Sequence, residues 1–174
     1  MVKYAVVFSS QTGNTALLAE RIKKVLPEDM CQYAGTPDEK ALAADLIFAG
    51  FWTDKGSCDA SMVEFLKGLH NKTVFLFGTA GFGGSEDYFA RILSNVEKYL
   101  DESNTLAGSY MCQGKMQMAV RRRYEAMAEK DPQKGQQLLD NFDLALTHPD
   151  VQDLEGLERT VRKVWLSENG AKQQ

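Results

Sequence analysis

Three continuous apolar runs recur along the chain: Tyr4-Ala5-Val6-Val7-Phe8, Leu46-Ile47-Phe48-Ala49-Gly50-Phe51 and Thr73-Val74-Phe75-Leu76-Phe77-Gly78. Unbroken runs of aliphatic and aromatic residues are the pattern of strands covered on both faces, as in a parallel sheet. A fourth run, Leu106-Ala107-Gly108-Ser109-Tyr110-Met111-Cys112, is weakened by Gly108, and a short strand fits around Cys31-Gln32-Tyr33. Between these runs the period becomes helical. Leu17, Leu18, Ile22, Val25 and Leu26 form one stripe, stopped by Pro27. Met62, Phe65, Leu66 and Leu69 mark a second helix, and Tyr88, Phe89, Ile92, Leu93, Val96 and Leu100 a longer third. Val151, Leu154, Leu157, Val161, Val164 and Trp165 form a terminal helix, with Asp150 placed to cap its start. Strands alternating with helices build right-handed βαβ units, so the expected class is α/β, a doubly wound parallel sheet with helices on both faces.

The segment from about Lys115 to Thr147 separates the last strand from the last helix and reads as two extra helices broken at Asp131-Pro132. It is expected as a helical insertion within one domain spanning residues 1–174, not as a second domain. Val120, Tyr124, Met127, Leu138, Leu139, Phe142 and Leu146 are its candidates to pack inward. Arg121-Arg122-Arg123 must place at least one charge in solvent. That run is either a partner-docking surface on an acidic chain or a solvated face, with Glu125 and Glu129 at ion-pair spacing.

A length of 174 residues with 44% hydrophobic and 25% charged positions is enough for one packed core, which excludes a disordered tail or a disulfide miniprotein. The net charge of -4 disfavours a nucleic-acid partner. No apolar run approaches the length of a membrane span, and Tyr4 to Phe8 is too short for a signal-peptide core. Cys31, Cys58 and Cys112 include no CxxC pair, so neither a zinc site nor a disulfide framework is expected. These readings together point to a cytoplasmic protein with reduced thiols, no membrane partner and no metal. Cys58 and Cys112 border loops at strand ends and are candidates for exposure. His70 and His148 read as cap or surface residues. No nucleophile and base stand at a hydrolytic spacing, so no catalytic residue is assigned.

In a doubly wound sheet ligands bind beyond the carboxyl ends of the strands. There, Ser9-Ser10-Gln11-Thr12-Gly13-Asn14-Thr15 follows a strand and opens a helix, supplying hydroxyls from Ser10, Thr12 and Thr15 and an amide from Asn14. Backbone N–H groups and the dipole of a helix N-terminus favour a phosphate, and this loop adds donors without any Lys or Arg. The bland alternative is a hydroxyl-rich loop that caps a helix. A Walker motif does not fit, since Gly83-Gly84-Ser85 lacks its lysine, and no G-x-G-x-x-G follows the first strand.

Ser10-Gln11-Thr12-Gly13-Asn14-Thr15, directly after an N-terminal strand, resembles the FMN-phosphate loop of the flavodoxins, of the form S-x-T-G-N-T. Gly50-Phe51-Trp52-Thr53-Asp54-Lys55-Gly56 lies where flavodoxins carry the loop after their third strand. Gly78-Thr79-Ala80-Gly81-Phe82-Gly83-Gly84 resembles the loop after their fourth. The resemblance covers roughly residues 2–112 and 148–168. It implies a five-stranded flavodoxin-like topology and noncovalent FMN held by Ser9, Ser10, Gln11, Thr12, Gly13, Asn14, Thr15, Phe51, Trp52, Thr53, Lys55, Gly56, Thr79, Ala80, Gly81, Phe82, Gly83 and Gly84. It also implies one-electron transfer between a reductase and a terminal enzyme as redox partners. Phe51 to Gly56 and Met111-Cys112-Gln113-Gly114-Lys115-Met116 further resemble the BilS group of flavodoxin-like proteins, encoded beside bacterial bilirubin reductases, which implies a bilirubin or tetrapyrrole reductase as acceptor.

Two features depart from the family. Gly83 is followed by Gly84 and Ser85, where flavodoxins often place an acidic residue, and the insertion does not interrupt the last strand. An FMN-dependent quinone or NAD(P)H reductase and a flavodoxin-like docking or assembly subunit therefore stay open as alternatives. An isoalloxazine ring needs apolar or aromatic faces and exclusion of water. Trp52 is either its neighbour or a core or interface tryptophan. Phe82, between Gly81 and Gly83, suits a close backbone approach to a ligand, whereas Tyr88 reads as helix packing.

Overall fold

The computed structural model describes residues 1–83 and 85–171. Its strands are β1 (Tyr4–Phe8), β2 (Cys31–Gly35), β3 (Leu46–Asp54), β4 (Ser57–Cys58), β5 (Thr73–Ala80) and β6 (Thr105–Gln113). The helices are α1 (Asn14–Val25), α2 (Ala60–Lys67), α3 (Glu86–Glu97), α4 (Met118–Lys130), α5 (Pro132–Ala145) and α6 (Val151–Ala171). Five strands run parallel in the order β2-β1-β3-β5-β6, and β4 folds back antiparallel on β3.

Successive side chains of each strand point to opposite faces, and both faces are covered. Tyr4, Val6, Phe48, Phe75 and Phe77 pack with Leu18 and Ile22 of α1 and with Leu157, Val161 and Trp165 of α6. Ala5, Val7, Ile47, Phe51 and Leu76 pack with Met62 and Leu66 of α2 and Ile92 and Val96 of α3. The apolar runs are continuous because neither side of the sheet meets water.

Glycines at the strand ends have a packing reason. Gly50 of β3 pairs with Phe77 of β5, and Phe51 pairs with Gly78. A Cβ on Gly50 would lie 2.3 Å from the Phe77 ring, and one on Gly78 would lie 2.5 Å from the Phe51 ring. Each glycine is the seat of its neighbour's phenyl ring, one on each face. Gly108 does not end β6: the register shifts by one residue opposite Val74 and Phe75, and a Cβ at 108 would come within 3.3 Å of the Phe75 ring. The strand continues because glycine leaves that ring its space.

Helix ends follow local chemistry. Asp131 closes α4 through its backbone N–H and caps α5 by accepting from the Lys134 N–H at 3.1 Å, with Pro132 in the first turn. Asp150 and Asp153 cap α6 reciprocally, each side chain accepting from the other's N–H at 2.9 and 2.8 Å. His148 Nδ1 lies 2.6 Å from Asp153 Oδ2, and His70 pairs with Asp101, so both histidines serve ends of elements.

Several side chains expected inside are not. Leu17, Leu146 and Val151 are 42%, 49% and 70% exposed. The buried arc of α1 is Leu18, Ala19 and Ile22, which leaves Leu17 off the core face, beside Leu146 in a shallow surface depression. Helix α4 buries no side chain completely and packs on α5 at Gly135, where a Cβ would lie 2.2 Å from Ala128 Cα. Among the described residues no helix is long and apolar enough to cross a membrane.

Substituting Gly78→Ala should displace the Phe51 ring from a packed face. Overpacking of this kind costs about 1–3 kcal/mol, read as a lower urea midpoint. An unchanged midpoint would show that the ring relocates freely and that the pairing does not fix the two strands.

Candidate functional site

The carboxyl edge of the sheet opens into a cleft of about 580 Å³, within the roughly 300–1,000 Å³ of small-molecule sites. Four segments line it. The first loop supplies Gln11, Thr12 and Asn14, the end of β3 and its turn supply Trp52 to Gly56, and the end of β5 supplies Thr79 to Phe82 with Tyr88 of α3. The segment after β6 supplies Gly114 to Gln117, and α4 adds Val120, Arg123 and Tyr124.

Gly13, at φ 89°, turns the first loop into α1. The Asn14 side chain, nearly buried, donates to Thr12 Oγ1 at 2.7 Å and to the Lys115 carbonyl at 2.8 Å. A Cβ on Gly114 would lie 2.4 Å from Asn14 Nδ2, so glycine there lets the two loops close on each other. Trp52 and Thr53 are not in a free loop. Strand β3 runs on to Asp54 and turns through Lys55 and Gly56, both at positive φ, a two-residue hairpin of the I′ kind. Thr53 Oγ1 donates to the Thr79 carbonyl at 2.8 Å, and Asn95 Nδ2 donates to the Gly56 carbonyl at 2.9 Å, anchoring this turn.

The structure brings eleven of the expected positions to the cleft: Gln11, Thr12, Asn14, Trp52, Thr53, Lys55, Gly56, Thr79, Ala80, Gly81 and Phe82. Others stand behind it as supports. The Ser9 hydroxyl donates to the Asp59 carboxylate, and the Ser10 hydroxyl accepts from the Ala16 N–H at 3.3 Å. The buried Thr15 hydroxyl donates to the Phe51 carbonyl at 3.1 Å and lies 3.2 Å from the Thr79 hydroxyl. The Phe51 ring fills the seat over Gly78, Gly13 faces the shallow depression with Leu17, and Gly83 lies against Gln113. Gly84 lies outside the described residues.

Residues not assigned to the cofactor from the sequence complete the lining. Tyr88, expected as helix packing, faces the cleft and meets Phe82 edge-on at 6.5 Å between centroids. Burial pushes the phenols of Tyr88 and Tyr124 above their ordinary range, so both stay protonated donors at neutral pH. Lys55, Lys115 and Arg123 against Asp54 give the cleft a positive excess on a chain of net charge -4. Lys115, whose carbonyl meets Asn14, lines the cleft beside the first loop, which has no lysine or arginine of its own. Arg121 is withdrawn from the triple-arginine run, paired with Glu125 at 3.3 Å and with Asp143 and stacked over Phe142.

A flavodoxin domain family model matches residues 5–162. The chain belongs to the flavodoxin family. A flavodoxin-like domain-containing protein BilS of Clostridium symbiosum is 44% identical, covering 90% of this chain and 93% of the relative. A second BilS, from Clostridioides difficile, is 32% identical over 88% and 90% of the two chains. Among solved structures, oxidised flavodoxin 2 from Bacillus cereus superposes with a TM-score of 0.62 at 17% identity, covering 95% and 99% of the two chains. The apo form of an NADH:FMN oxidoreductase superposes at 0.57 and 16% identity over 96% and 90%. Both structural likenesses concern the fold.

The cofactor of the flavodoxin family is FMN, and the cleft fits it. One end has helix N–H groups, a hydroxyl and a nearby lysine for a phosphate, and the other has Trp52, Phe82 and Tyr88 for a planar ring.

The flavodoxin core also decides the fate of the thiols. Cys58 and Cys112 are buried rather than exposed, because both strands that carry them end under covering helices and loops. Burial and then the Asp59 charge push the Cys58 thiol up to about 11, and burial with the Asp153 and Asp150 charges raises that of Cys112 further. Both therefore stay protonated at pH 8, whereas Cys31 is half-exposed. A disulfide reagent should titrate about one thiol per native chain and, after Cys31→Ser, almost none. Rapid reaction of a second thiol would contradict this burial.

Proposed function

We propose that this flavodoxin-family chain is an FMN-dependent electron carrier that passes electrons from a reductase to a terminal redox enzyme, and that the acceptor is a bilirubin or tetrapyrrole reductase. The observation that carries the reading is the joining, in one cleft, of a phosphate-type loop at Thr12 and Asn14 with aromatic side chains from β3 and the loop after β5. The BilS relatives at 44% and 32% identity support the flavodoxin-like family, and the acceptor is proposed from the resemblance of Phe51 to Gly56 and Met111 to Met116 to the BilS group.

Bound FMN supplies one-electron and two-electron chemistry through its ring. The chain's own residues do the rest. N–H groups at the start of α1 and the Thr12 hydroxyl would hold the phosphate, with Lys115 available to offset its charge. Trp52 and Phe82 would offer apolar faces to the ring, and Tyr124 and Val120 of α4 would limit water from the side of the insertion. Phe82, 39% exposed, marks the open side at which a partner approaches.

The wall contributed by α4 favours one second reading, an FMN-dependent reductase whose substrate enters beside Arg123 and Tyr124. The reconstituted protein decides between them. A carrier reduced by an NAD(P)H-dependent reductase should give up its electrons stoichiometrically to the bilirubin reductase. Alone with NAD(P)H and a quinone it should show no sustained turnover. Sustained turnover without a partner would favour the second reading, and failure to take up FMN would overturn both.

A further inference from the structure

The α4–α5 hairpin reaches the ring end of the cleft through one polar knot. The Gly81 carbonyl accepts from Gln113 Nε2 at 2.9 Å and from Asn141 Nδ2 at 3.1 Å, and Gln113 Nε2 also lies 3.2 Å from Asn141 Oδ1. Gln113 ends β6 and Asn141 sits on α5, so two distant segments hold a single peptide of the loop after β5. That loop contains Gly81, Gly83 and Gly84 around Phe82, a composition whose backbone freedom is large unless something restrains it. Its space is closed as well. A Cβ on Gly81 would lie 2.5 Å from Met116 Sδ, and one on Gly83 would lie 2.6 Å from Gln113 Oε1.

We propose that Asn141 is a positioning residue for the cofactor ring: by holding the Gly81 carbonyl together with Gln113 of β6, it makes the inserted hairpin one of the two elements that order the Phe82 loop. This rests on the FMN reading above. Phe142, the next residue, is fully buried, so α5 has a fixed base from which Asn141 reaches out. The phosphate end is tied separately, through Asn14 and the Lys115 carbonyl, so the two ends of the cleft can be perturbed independently. The insertion is therefore part of the flavin site's own machinery, acting on the ring loop from outside it.

The test uses Asn141→Asp, which keeps the shape and removes the amide donor, with Asn141→Ala as a second variant should the first not fold. Gln137→Ala, exposed on the same helix, is the control. In the apo-protein, ¹⁵N order parameters of Phe82 and Gly83 should fall from about 0.85 to below about 0.6 in the Asn141 variants and stay unchanged in the control. In titrations, FMN and riboflavin should lose affinity by the same factor, about three- to tenfold, and the visible circular dichroism of the bound flavin should change. Thr12→Ala should instead weaken FMN and spare riboflavin. Wild-type order parameters and affinities in the Asn141 variants would overturn the proposal, as would a loss confined to FMN. If wild-type protein holds neither flavin, the functional reading fails, and the order parameters alone decide the tether.

Discussion

Two phenyl rings seated on two glycines hold the centre of this molecule together. Phe77 lies over Gly50 on one face of the sheet, and Phe51 lies over Gly78 on the other, at adjacent positions of the β3 and β5 pairing. A slip of one residue would unseat both rings and turn every following side chain to the wrong face. The pairing therefore fixes how far each strand projects beyond the sheet, and so where Trp52 and Phe82 emerge. Hydrogen bonds carry the same register outward: Thr53 donates to the Thr79 carbonyl, and Thr15 ties the start of α1 to the Phe51 carbonyl. The cleft inherits its shape from packing beneath it.

The fourth wall has a different origin. Helices α4 and α5 pack on one another, with the Ala128 backbone close against Gly135, and the pair meets the sheet's carboxyl edge through Gln113, Asn141 and the Lys115 carbonyl. Asn141 and Asn14 donate to backbone carbonyls and Gln113 donates to the Asn141 side chain, bonds which position without demanding a large apolar contact. Such an attachment suits an element that shapes a ligand site without contributing to the main core, and it explains why α4 keeps its side chains at least partly accessible.

Much of the fold is legible in the chain itself. Runs such as Tyr4 to Phe8 and Thr73 to Phe77 have a single physical explanation, burial on both faces, and the break at Asp131-Pro132 is a helix stop and start in two residues. The site is less legible because the same hydroxyl serves two purposes. Ser9, Thr12 and Thr15 all read as ligand donors, yet Asp59, the Lys115 carbonyl and the Phe51 carbonyl, which they bond, lie more than thirty positions away, and of the three only Thr12 lines the cleft. Tyr88, Val120 and Tyr124 were visible as helical stripes, but periodicity reports that a face is covered, not whether protein or a ligand covers it. Leu17 and Leu146 show the converse, apolar positions that the tertiary fold leaves at the surface. Lys115 was read only within the Met111 to Met116 resemblance and not as a neighbour of the first loop, since only the closure of Gly114 on Asn14 brings it there.

The central claim is that three strand-end loops and the inserted helix α4 enclose a single FMN site. The most direct measurement is a two-dimensional ¹H–¹⁵N correlation spectrum of the apo-protein titrated with FMN. The account predicts that amides of residues 11–14, 52–56, 79–83 and 114–124 shift together and saturate at one FMN per chain, while those of α2 and the far end of α6 stay in place. FMN binding that moves the first loop but leaves 117–124 untouched would contradict it, and so would perturbations centred away from the carboxyl edge of the sheet.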